Sequence, residues 1–138
     1  MKTLNDIYGM TDAHRVRVDS YNLGDVESMS YMSPKGKCYI AIDPFKLDSE
    51  RDEKVKLTHE LGHCVQGAFY NQFSVIDIRE RHEARAERWA IKQLIPLSEL
   101  CEALHAGYCE TWELAELFEV PEWSMRKAIE YYQTVGLL

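Results

Sequence analysis

Residues 59–63 read His59-Glu60-Leu61-Gly62-His63, and this run constrains the fold more than any other part of the chain. Two imidazoles four residues apart can meet one ion when the backbone between them is helical, because positions i and i+4 stand one turn apart on the same face. The pattern therefore predicts a helix as well as a metal site. Glu60 lies beside that face, where its carboxylate can take a proton from a water whose pKa a bound ion has lowered toward neutrality. The implied chemistry is metal-assisted hydrolysis, with a peptide bond as the expected substrate.

The surrounding sequence agrees with a helix from Ser49 to about Tyr70. Ser49 with Asp52 three residues on makes a capping-box signal, and Val55, Leu57, Leu61, Cys64, Val65, Ala68 and Phe69 recur near helical spacing. Upstream the chain reads as strands and turns. Arg15-Val16-Arg17-Val18 alternates, and Met29 to Met32 and Cys38 to Ile42 flank Ser33-Pro34-Lys35-Gly36, a good hairpin turn. Asp43-Pro44 ends the last strand. Downstream, a loop over Asn71 to Asp77 leads to a second helix from about Arg79 to Leu94, closed by Ile95-Pro96. A short helix fits Ser98 to Ala106, with Ser98 as N-cap and Gly107 as its stop; two more fit Thr111 to Phe118 and Glu122 to about Thr134. The expected fold class is α+β: a small antiparallel sheet packed on the motif helix and a second ligand-bearing helix, followed by a C-terminal helical segment. In a chain of 138 residues this makes one domain, with a metallopeptidase core over 1–96 and an acidic helical segment over 97–138 packed on it.

Two imidazoles hold zinc poorly, and a catalytic site usually adds a third protein ligand. The second helix offers Glu80, Glu83 and Glu87. Glu83 and Glu87 are i,i+4 neighbours on the face that carries Ala90 and Leu94, a face expected to turn inward. Buried carboxylates are costly unless engaged. One as a metal ligand and the other as a hydrogen-bond acceptor for a ligating histidine would account for both. The competing reading is a solvated helix edge paired with Arg79, Arg81, Arg85 or Arg88.

These two segments, His59 to His63 and Glu83-Ala84-Arg85-Ala86-Glu87-Arg88-Trp89-Ala90 with Leu94-Ile95-Pro96 beyond, resemble the ImmA/IrrE family of metallopeptidases. Members pair an HELGH helix with a second helix of the form E-x-x-A-N-x-F-A, then a Leu-rich turn ending in Pro. The resemblance is clear from Ile40 to Pro96 and weak in the flanks. It implies zinc as cofactor, places the third ligand on Glu83, and implies a protein substrate, commonly a helix-turn-helix repressor encoded near the peptidase in a mobile element or stress-response locus. Glu87 stands where the family has Asn, and Trp89 where it has Phe. Trp89 keeps an aromatic wedge. Glu87 keeps an acceptor but adds a charge, so a swap of roles between Glu83 and Glu87 stays open. A donor to the tetrahedral oxyanion is expected from the mechanism; Tyr39, Tyr70, His82 and His105 are unranked candidates, with His82 expected on a different helix face.

The formal charge of −7 is uneven: residues 1–96 carry −1 and residues 97–138 carry −6. Thr111 to Pro121 followed by a helix has the pattern of a helix-turn-helix pair. Its second helix offers only Arg126 and Lys127 against Glu122 and Glu130, too little positive charge to approach a phosphate backbone, so a packing or partner-docking pair is expected rather than direct nucleic-acid binding. Trp112, Trp123, Tyr131 and Tyr132 are expected in the core. The four cysteines form no CxxC pair and are read as reduced thiols. Cys64, although next to His63, points about 100° from it on a helix and is read as a small buried side chain. No stretch approaches the 18 or so apolar residues of a membrane span and the N-terminus has no apolar h-region, so the cytoplasm is the expected location.

The sequence thus points to a zinc endopeptidase in which His59, His63 and Glu83 bind the metal and Glu60 is general base, then proton donor. The alternative is a non-cleaving zinc-containing binding module or antirepressor that captures a partner protein. Nothing in the residues sets the oligomeric state.

Overall fold

The computed structural model describes residues 1–67, 69 and 75–138. The chain opens with a helix the sequence reading lacked: α1, Leu4–Ala13, closed at its start by a capping box. The Thr3 hydroxyl accepts from the Asp6 amide at 3.2 Å, and the Asp6 carboxylate accepts from the Thr3 amide at 2.7 Å. Arg15 then adopts a left-handed φ of 57° directly after the helix, which delays β1 to Arg17–Ser20 rather than the expected start at Arg15.

Strands β2 (Ser28–Met32) and β3 (Cys38–Ile42) form the expected antiparallel hairpin, with Tyr31 opposite Tyr39. Its turn needs Gly36, at a φ of 82°. The sheet order is β1-β3-β2, and β1 runs parallel to β3. The sheet is therefore mixed, which corrects the all-antiparallel expectation. Turn residues reveal which strands form a hairpin, whereas the direction of β1 follows from the path the chain takes across the sheet. By position, β2 is an edge strand.

After a short 3-10 turn at Pro44–Lys46, α2 spans Glu50–Gln66. The Ser49 hydroxyl accepts from the Asp52 amide, but the Asp52 carboxylate reaches the amide of Asp48 rather than that of Ser49, so half of the expected capping box forms. Gly67, at a φ of 61°, stops the helix short of the expected end near Tyr70. Tyr70 itself, with Ala68 and the start of the expected loop at Asn71, lies outside the described residues. Helix α3 covers Ile76–Leu94, beginning three residues before the expected Arg79. Helix α4 covers Leu97–His105; Pro96, not Ser98, occupies its N-cap position. Helices α5 (Thr111–Phe118) and α6 (Glu122–Thr134) match expectation.

The alternation of β3 turns Cys38, Ile40 and Ile42 inward, and Leu57 and Leu61 of α2 are buried in the same cluster. Leu100, Leu114, Phe118, Met125 and Tyr132 of the C-terminal segment join it too. The Tyr132 hydroxyl donates to the Ile95 carbonyl at 2.7 Å, tying α6 to the end of α3. Trp112 and Trp123 depart from the expectation of core positions: they are 57% and 42% exposed. The reading of four reduced thiols also needs correction. Cys38 on β3 and Cys64 on α2 form a disulfide, their Cα atoms 5.9 Å apart, because the helix lies across that strand. A pairing between residues 26 apart in sequence leaves no local signature. Cys101 and Cys109 are free. Among the described residues, no helix is long and apolar enough to cross a membrane.

Candidate metal centre

Helices α2 and α3 pack so closely that one position decides their separation. A Cβ placed on Gly62 would lie 2.8 Å from the Ala86 carbonyl oxygen and 3.2 Å from both Ala86 Cα and Trp89 Cε3. Glycine in the motif thus meets alanine on the facing helix, with the Trp89 ring packed over the contact. Ala86 is fully buried. One helical turn before it stands Glu83, which this close approach brings within reach of both imidazoles.

The Glu83 carboxylate bridges the two histidines. Its Oε2 lies 2.9 Å from His59 Nε2 and its Oε1 lies 3.1 Å from His63 Nε2. One donor atom from each of the three residues falls within a span of 4.8 Å, which makes this a group able to hold a metal ion. An ion held at about 2.0–2.2 Å by nitrogen and oxygen donors in a tetrahedron sets those donors about 3.3–3.6 Å apart, near the two nitrogen–oxygen separations of the cluster. The donor set also has the right chemistry: two neutral imidazoles and one carboxylate, with a position left over for substrate or water. The His63 side chain is 6% exposed, whereas those of His59 and Glu83 are 28% and 42% exposed, so the cluster opens to solvent on one side. The two imidazoles stand edge to face with centroids 5.0 Å apart, and Phe69 packs 6.2 Å from the His63 ring.

Glu60 is buried between α2 and the sheet. The hydroxyl of Ser28, at the start of edge strand β2, donates to Glu60 Oε2 at 2.7 Å. The sequence reading missed Ser28, and no local signal could have supplied it, since the pairing crosses 32 residues and depends on where β2 lands against α2.

Glu87 does not join the cluster: its Oε1 lies 2.9 Å from Lys127 Nζ of α6. Glu83 and Glu87 both sit at a half-exposed edge of α3 rather than on the buried face expected for them, Glu83 at 42% and Glu87 at 39%. Of the candidate oxyanion donors, Tyr39 projects from the pleat face opposite to Cys38 and Ile40, with its ring 6.4 Å from Tyr31. Neither it, His82 nor His105 lines the hollows beside the cluster, and Tyr70 lies outside the described residues.

Two hollows flank the site. One, of about 570 Å³, runs from the cluster between α3 and α6; the other, of about 300 Å³, lies toward Phe69 and Met29. Val26, Ser28, Glu60 and Glu83 line both, so the hollows meet at the cluster beside the edge strand.

A peptidase family model described as the IrrE N-terminal-like domain matches residues 13–130, which takes in every element from β1 to α5 and most of α6. No curated protein and no solved structure matches the chain at a significant level.

Proposed function

The chain belongs to the peptidase family of the IrrE N-terminal-like domain, and from that premise we propose that it is a zinc-dependent endopeptidase acting on a regulatory protein. The observation that carries the reading is the convergence of His59, His63 and Glu83 on one point of the α2–α3 contact, with the buried Glu60 beside them. His59, His63 and Glu83 would hold the zinc. When bound, zinc would polarise the scissile carbonyl and make a water acidic at neutral pH.

The remaining steps fall to the chain's own residues. Glu60 takes the proton from the attacking water as its oxygen bonds to the carbonyl carbon. It then hands that proton to the amine that leaves as the C–N bond breaks. The Ser28 hydroxyl occupies one carboxylate oxygen of Glu60 and so fixes which face of the group is turned to the reaction. An extended segment can lie along the edge of β2, which has no strand beside it among the described residues. A protein substrate with an exposed extended stretch suits such a groove.

The resemblance of the HELGH and Glu83-to-Ala90 motifs to the ImmA/IrrE peptidases supports a helix-turn-helix repressor as that substrate. Direct contact with nucleic acid is not part of the proposal, because Arg126 and Lys127 of α6 are already engaged by Glu122 and Glu87. Incubation with a helix-turn-helix repressor encoded by a neighbouring gene tests the reading. Fragments detected by mass spectrometry should appear with the zinc-loaded protein, vanish after chelation and return when zinc is restored. Inhibition of the repressor without fragments in any of the three states would instead establish the non-cleaving binder.

A further inference from the structure

The larger hollow beside the cluster has a composition that the peptidase reading does not use. Its floor is apolar, formed by Val55 of α2, by Ala90, Ile91 and Leu94 of α3, and by Ile95. Its far wall comes from the C-terminal segment, where Trp123 of α6 is 42% exposed although its neighbours Ser124 and Met125 are buried. An exposed indole at the lip of an apolar cavity is the arrangement found where binding energy concentrates.

The indole is held in place by charge. Lys56 Nζ lies 5.3 Å and Lys127 Nζ 5.8 Å from the centre of the Trp123 ring. Each ammonium is in turn anchored by a carboxylate, Lys56 by Glu27 at 2.7 Å and Lys127 by Glu87 at 2.9 Å. Two lip charges of each sign therefore cancel in pairs. Asp25, Glu60 and Glu83 also line the cavity, but away from them it offers an incoming group apolar surface and an aromatic wall, and the pairing with Lys127 gives Glu87 a function away from the cluster.

We propose that this cavity is the specificity pocket of the site, taking a large apolar or aromatic side chain of the bound peptide next to the residue at the metal cluster, with Trp123 as its selecting wall. The proposal rests on the peptidase reading for the identity of the ligand as a peptide. Continuity supports the placement: His59, Glu60 and Glu83 line the same cavity, so a chain passing the cluster must send a neighbouring side chain into it or across its mouth. A volume of about 570 Å³ exceeds any single side chain, so the pocket admits Phe, Leu or Met without strain. The acidic segment 97–138 then contributes one wall of the substrate groove.

The test uses the full-length zinc-loaded Glu60→Gln protein and two probes, N-acetyl-phenylalanine amide and N-acetyl-glycine amide, followed by NMR at the Trp123 indole N–H and the Ile91 methyl groups. The phenylalanine probe should shift both signals and the glycine probe neither. Trp123→Ala, a substitution at an exposed position, should weaken the phenylalanine probe at least fivefold by the Ile91 signal while leaving the circular dichroism unchanged. Equal responses to the two probes, no response at these residues, or undiminished binding by Trp123→Ala would overturn the proposal. A parallel digestion of a mixed peptide library by the wild type keeps the two readings apart. Probe binding without any cleavage sinks the peptidase and leaves the pocket standing; cleavage without preference for a large apolar residue beside the cut sinks the pocket and leaves the peptidase standing.

Discussion

Glu83 and Gly62 shape the candidate site at the scale of single residues, one by setting its carboxylate against both imidazoles and the other by having no side chain. Glu83→Gln keeps the shape of the side chain but removes the charge that both histidines face, and should weaken zinc binding by at least about 100-fold in competition with a chromogenic chelator. Glu87→Gln, which breaks only the contact with Lys127, should leave zinc affinity within about tenfold of wild type. The reverse order would move the third ligand to Glu87. Gly62→Ala forces a methyl group against the Ala86 carbonyl, where backbone must give way, and should cost about 1–3 kcal/mol in urea denaturation. It should also loosen zinc, because parting α2 from α3 withdraws Glu83 from the imidazoles. That His59, Glu60 and His63 share one helix, and that Glu83 and Glu87 share a face of the next, was legible in the sequence because helix periodicity is a local rule. Spacing does not part Glu83 from Glu87; in the structure Glu83 lies against both imidazoles and Glu87 against Lys127 of α6.

Among the elements, α1 and the sheet show where local reading runs out. The Thr3 and Asp6 capping signal was present for α1, but the helix holds only ten residues and buries only Ile7 and Thr11, too weak a periodic pattern to stand out. What holds it is tertiary contact. The Tyr8 hydroxyl donates to Glu53 of α2 at 2.7 Å, and burial together with that acidic partner pushes the Tyr8 pKa from 10.0 up to about 12. A raised pKa stabilises the fold fully below pH 10, and that stabilisation is lost as pH rises toward 12. Denaturation midpoints should therefore fall across this window more steeply in wild type than in Tyr8→Phe. Parallel curves would show that the contact contributes nothing. The mixed sheet and the Cys38–Cys64 bond escaped for one reason: both depend on how α2 and β1 lie over β3, a matter of chain path rather than of any residue pattern.

Taken as a whole, the molecule joins its acidic C-terminal segment to the elements before it through shared burial. Lys54 shows the joining in one side chain: it is 2% exposed, and its ammonium donates to the carbonyls of Lys2 and Phe118, fastening the N-terminus and the end of α5 to the motif helix. Burial holds its pKa below the usual lysine value, and the two carbonyls meet the hydrogen-bonding needs of a charge that would otherwise be expensive to enclose. Helix ends in this segment were readable from Gly107 and Pro121, whereas the start of α4 lies at Pro96 rather than at the Ser98 cap expected for it. The segment's place beside the candidate metal centre was not readable, because the net charge of residues 97–138 speaks of solvent while Phe118, Met125 and Tyr132 face the core. The central claim is that this assembly cuts a peptide bond with Glu60 as its base. The most direct measurement compares zinc-loaded wild type with Glu60→Gln, matched for bound zinc, on the same repressor. The account predicts equal metal content and a cleavage rate lower by on the order of 100- to 10,000-fold in the variant. Equal cleavage by the two proteins would contradict it.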